Sequence, residues 1–66
     1  MGRYYFDLQG AHNAHDSGGL KFESDLEAFH AAKRLATELA TARPNLRGNT
    51  CVVVRKGAED IYWISV

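Results

Sequence analysis

Apolar and polar positions alternate at the start of the chain. Arg3-Tyr4-Tyr5-Phe6-Asp7-Leu8 places Tyr4, Phe6 and Leu8 on one side and Arg3, Tyr5 and Asp7 on the other. With its aromatic content, that two-residue period predicts a strand. Gln9 to Gly19 is polar and ends in Gly18-Gly19, the composition of a loop. Leu20-Lys21-Phe22 alternates again and predicts a short second strand. From Ala28 onward the period changes. Ala28, Ala31, Ala32, Leu35, Ala36, Leu39 and Ala42 gather on one side at helical spacing, and Phe29 flanks them. Glu27, His30, Lys33, Arg34, Thr37, Glu38 and Thr41 take the opposite side. Ser24 and Glu27 have the spacing of a capping box, in which Glu27 reaches back to the Ser24 N–H. Asp25 and Glu27 add negative charge at the positive end of the helix dipole. Pro44 disfavours helical geometry at Arg43 and ends the helix there. Asn45 to Asn49 reads as a loop. Thr50 to Lys56 is a β-branched strand, Gly57-Ala58-Glu59-Asp60 a four-residue hairpin loop, and Ile61 to Val66 the last strand.

The expected fold is therefore α+β, in the order β-β-α-β-β, with one amphipathic helix packed on a small antiparallel sheet. The expected strand order is 2-1-3-4. Residues 1–66 are expected to form one domain, since the chain is too short for two cores. A domain of this size buries only about 60% of the surface that its unfolded chain exposes, and small domains commonly add a disulfide, a metal or a partner subunit. Cys51 is the only cysteine, so no disulfide can form within the chain.

One helix covers one sheet face. The other face should then be polar in a solvated monomer, yet the alternation leaves apolar residues on both sides. Tyr5 must share the open face either with Trp63 or with Tyr62 and Ile64, and Val53 or its neighbours lie between them. Contiguous exposed apolar surface marks interaction sites. Tyr5, Val53, Tyr62 and Trp63 are accordingly the candidate interface residues.

Charge and chemistry alter this picture little. Eight basic and eight acidic side chains cancel. The balance argues against non-specific nucleic-acid binding, which draws on a basic excess, and it offers little resistance to self-association. No apolar run approaches the roughly 20 residues of a membrane span, and none has the form of a signal peptide, so a cytoplasmic location is expected. His12 and His15, with Asp16 beside them, are suitable metal ligands, although two imidazoles in a loop fall short of a closed site. Cys51 sits among valines with no flanking helix N-terminus to activate it. There is no phosphate-binding loop, dinucleotide fingerprint or nucleophile elbow. No catalytic residue and no cofactor is assigned, and the chain is expected not to be an enzyme. Tyr5 and Trp63, with Arg3, Arg55 and Lys56 at the rim, could instead stack on single-stranded bases.

Three segments together resemble a known family. They are Arg3-Tyr4-Tyr5-Phe6-Asp7-Leu8, Asp16-Ser17-Gly18-Gly19-Leu20 and Asp25-Leu26-Glu27-Ala28. They are similar to short, uncharacterised alphaproteobacterial proteins grouped as a domain of unknown function, with an RYFFD-like start and a DLEAA-like opening of the helix. Here histidines replace the acidic residues usual in the loop. The resemblance implies a fold and a bacterial source, and it carries no activity and no site residue. A looser likeness, in fold alone, is to HicB-type antitoxins, whose proline-cysteine signature before the helix is missing here. The leading expectation is a non-catalytic interaction module that forms a homodimer, or meets another protein, through its sheet. A nucleic-acid-binding or antitoxin-like regulator is the alternative.

Overall fold

The computed structural model describes residues 2–66. Five elements carry the chain: β1 (Gly2–Gly10), β2 (Leu20–Phe22), α1 (Asp25–Ala42), β3 (Thr50–Lys56) and β4 (Glu59–Ser65). A 3₁₀ turn at Pro44–Leu46 joins α1 to β3. The strands form one antiparallel sheet in the order β2-β1-β3-β4. The architecture is the α+β fold that the periodicity indicates.

Ser24 begins the helix in extended backbone, and its hydroxyl accepts from the Glu27 N–H at 3.2 Å. The reciprocal bond differs from the expected box. The Glu27 carboxylate accepts from the Glu23 N–H at 3.1 Å, one residue before the cap. At the other end, the Arg43 N–H bonds to Leu39 O and Pro44 stops the helix. Ala28, Ala32 and Ala36 are buried along the apolar stripe. With no side chain beyond Cβ, they let α1 approach Tyr4, Val52 and Val54 closely, and these six residues form the core. Phe6, Leu8, Phe22, Leu35, Leu39, Ile61, Tyr62, Ile64 and Val66 pack around it.

Two features near the last hairpin depart from expectation. The loop has two residues rather than four, because Glu59 and Asp60 already pair with Lys56 and Arg55. Gly57 supplies φ +65° at the first turn position, as a type II′ turn requires. The register then shifts between Val54 and Arg55, so that Tyr62 faces Val54 and Ile61 is extra. This bulge fixes which set of β4 side chains faces the helix. Tyr62 lies on the helix side, with its ring 5.0 Å from that of Phe29. It does not share a face with Tyr5, and its place among the open-face interface residues is corrected accordingly. The open face carries Tyr5, Val53 and Trp63.

A second tie joins the sheet to the start of the helix. The buried Tyr4 hydroxyl donates to the Asp25 carboxylate, which also accepts from Lys56 Nζ at 3.2 Å. The Tyr4 and Lys56 hydrogen bonds hold the Asp25 pKa below the usual carboxylate value. The same contact with Asp25 raises the pKa of Tyr4 and of Lys56. Among the described residues, no helix is long and apolar enough to cross a membrane.

Candidate functional site

The open face is largely closed by polar side chains. Val53 is 0% exposed although no helix covers it. It lies between Asp7 and Trp63 in register, and between Cys51 and Arg55 along its own strand. Asp7 is 8% exposed and forms the hub of a network. One of its oxygens accepts from the Asp16 N–H at 2.9 Å. The other accepts from Arg55 Nε at 3.2 Å and lies 3.5 Å from His15 Nδ1.

Arg55 is almost fully engaged. Nη1 donates to Gly57 O at 3.0 Å, and Nη2 donates to Asp16 O at 3.2 Å and lies 3.4 Å from His15 Nε2. The guanidinium also sits 4.3 Å above the Tyr5 ring, a cation–π arrangement. One face of Tyr5 is thereby covered.

The polar loop is held against the sheet by its own acidic residue. Asp16 accepts from the N–H groups of Gly18 and Gly19, each at 3.1 Å, and of Phe6 at 3.2 Å. The Gly19 N–H does most to lower the Asp16 pKa; Phe6, Gly18 and the Arg55 charge add to it, against the cost of burial. Gly19 sits at φ +67°, and a Cβ there would come within 2.8 Å of Tyr4 O and 2.9 Å of the Tyr5 ring. Leu8 and Ala14 complete the edge with two backbone bonds of 2.8 and 3.1 Å. The loop thus shields the β1 edge beyond the end of β2.

Of the two loop histidines, His15 joins the network. His15 is turned to Asp7, and its side chain remains 71% exposed. His12 is half-buried. Among the described residues, no three His, Cys, Asp or Glu side chains converge as metal ligands. Cys51 is half-buried on the open face, opposite Gln9 and Ser65 in register.

What remains uncovered on the open face lies at the β4 end of the sheet; the other exposed large apolar side chains, Leu20 and Leu26, lie on the β2 edge and in the first turn of α1. Trp63 is 59% exposed. Among the described residues, its strand is an edge strand with no neighbour beyond it. The Val66 N–H bonds to Thr50 O at 2.9 Å. Antiparallel alternation then directs the backbone groups of Ile64 and Tyr62 toward β3, and those of Trp63 and Ser65 outward. On the helix side of this edge runs an open groove of about 600 Å³. Lys33, Thr37 and Thr41 of α1, Arg47 after it, and Ile64 and Val66 of β4 are among the residues that line it.

Taken together, these features define a small α+β domain with one face closed by a helix, the other by a polar network, and an unpaired edge strand bearing a tryptophan. The chain matches the domain of unknown function DUF6894 over residues 3–63, and it belongs to that family. No curated protein and no solved structure matches it. The matched span includes Asp7, Asp16, Arg55 and Trp63. The alternation places Tyr5, Val53 and Trp63 on the open face, but Val53 is 0% exposed and offers no contact surface, so its place among the interface residues is corrected: Asp7, Arg55 and Trp63 flank it. The Asp7–Asp16–Arg55 network was missed. The available signal was Asp16 placed two and three residues before a glycine pair, the pattern of an Asx turn.

Proposed function

We propose that this chain is a non-catalytic interaction module that self-associates through its sheet, with the β4 edge and Trp63 as the contact. The observation that carries the reading is the exposed indole of Trp63 on the one long unpaired edge strand. Unpaired strand edges are templates for pairing with another chain, and a tryptophan adds a large apolar contact beside them. At the other edge, β2 has only three residues, and beyond it the Asp16 loop shields β1. The balanced formal charge opposes association only weakly. Base stacking is the less favoured reading, because Arg55 already occupies one face of the Tyr5 ring.

An interface of one strand pair and two indoles falls at the low end for specific contacts, on the order of 1,000 Å². Micromolar association follows as the expectation. Sedimentation velocity across a concentration series tests it. The wild-type chain is expected to shift from monomer to dimer, and Trp63→Lys to remain monomeric with an unchanged far-ultraviolet circular dichroism spectrum. A wild-type chain that stays monomeric at high micromolar concentration would overturn the reading.

A further inference from the structure

We propose that the groove between α1 and β4 is the receptor for Glu59 of a second copy, so that two β4 strands pair antiparallel with Arg47 and Lys33 of each copy facing Glu59 of the other. The inference rests on the self-association reading and adds an orientation and a pair of ionic contacts to it.

The charge distribution along β4 carries the argument. The strand begins with Glu59 and Asp60, both exposed. Glu59 pairs with Lys56, whose amine reaches Asp25 at the start of α1, so Glu59 lies on the helix side of the sheet. The other end of the strand, Ile64 to Val66, borders the groove that holds Lys33 and Arg47. Among the described residues, the ion pairs join Asp7 to His15 and Arg55, and Asp25 to Lys56. Glu59, Lys33 and Arg47 have no partner in that set. The edge is thus acidic at one end and basic at the other, on the same side of the sheet.

A parallel arrangement would set acid beside acid and base beside base. An antiparallel two-fold arrangement centred near Trp63 sets the start of each strand beside the end of its mate. Each complementary contact is then made twice, as a two-fold interface requires. Trp63 and Ser65, whose backbone groups point outward, supply the ladder. The indoles meet near the axis on the opposite face, and the groove receives the carboxylate on the helix face. An antiparallel pairing therefore uses both sides of the strand.

Charge reversal tests the proposal. Glu59→Lys alone and Arg47→Glu alone are each expected to weaken self-association by about tenfold or more, since each creates two like-charge contacts per dimer. Mixing the two variants should restore association. In the mixed dimer one contact is the native Glu59–Arg47 pair and the other is its reverse. Glu59→Gln should dimerise moderately less well than the wild type and lose most of the wild type's sensitivity to salt between 0.05 and 1 M, on the order of the screening range. Sedimentation equilibrium reads all of these, and recovery on mixing requires both variants to be folded. Dimerisation that is indifferent to Glu59→Gln, to salt and to mixing would overturn the ionic receptor while leaving self-association intact. A wild type that is monomeric at every salt concentration would overturn the underlying reading and this orientation with it.

Discussion

On the helix side of the sheet, Tyr4, Val52 and Val54 are dry because Ala28, Ala32 and Ala36 lie on them. On the opposite side Val53 is as dry, flanked by Trp63 and by the Asp7–Arg55 ion pair rather than by a helix. The two coverings have different physics. The first is non-directional and depends on filling volume. The second depends on every polar group having its partner, because a half-satisfied buried network costs more than an apolar one. Among the described residues, no buried side-chain nitrogen or oxygen lacks a hydrogen bond. A chain of 66 residues with one helix can therefore close both faces of its sheet.

Removing one member of the polar covering should have the largest effect. Asp7→Ala leaves Arg55 without its carboxylate and the Asp16 N–H without an acceptor. We expect a loss of about 3 kcal/mol in urea denaturation. A loss under about 1 kcal/mol would show that the network is decoration on a face closed by other means. The double change Asp7→Leu with Arg55→Leu sharpens the contrast, since replacing a buried ion pair with apolar side chains is often close to neutral. Overpacking the helix side comes next. Ala32→Leu adds volume where α1 touches the sheet and should cost about 2 kcal/mol. Ser24→Ala removes the bond to the Glu27 N–H and should cost about 1 kcal/mol, confined to the helix.

Acid should separate the faces most gently. The folded pKa of Asp16 is lowered chiefly by the Gly19 N–H, with Phe6, Gly18 and Arg55 assisting. Its contribution is complete above the unfolded carboxylate value of about 4 and is lost as pH falls through the lower folded value. The protection factors of the Gly18 and Gly19 amides, measured against the intrinsic exchange rate at each pH, should therefore fall below about pH 4, before those of the core amides of Val52 and Val54. Simultaneous loss at both places would show that the loop and the core open as one unit.

The helix-covered half of the fold was legible because its signals are local. Ser24, the alanine stripe and Pro44 lie within one segment, and the spacings that reveal them are no more than four residues. The pairing of β3 with β4 followed from their short loop, whereas the place of β1 beside β3 matches the expected order without a local signal that required it. The polar covering was not legible, because Arg55 meets Asp7 across 48 residues of sequence. Nothing in the run Val54-Arg55-Lys56 distinguishes the arginine that is consumed internally from the lysine that ties down the helix. The side taken by Tyr62 was equally hidden. Both alternating sets of β4 are apolar, and only the bulge at Ile61 decides between them. In the candidate site, Trp63 was visible as surplus aromatic surface. The groove with Lys33 and Arg47 was not, since it forms between elements about twenty residues apart.

Trp63 has one more consequence. It is the sole tryptophan of the chain, and it stands at the free edge rather than in the core. Its emission therefore reports the solvent around that edge and little else. In the isolated chain the indole emits from a wet environment whether the core is intact or not, so a melting curve followed by this signal alone would understate unfolding. Under the proposed self-association the emission would move to shorter wavelength as the edge is covered, which gives that proposal an optical readout without any added label.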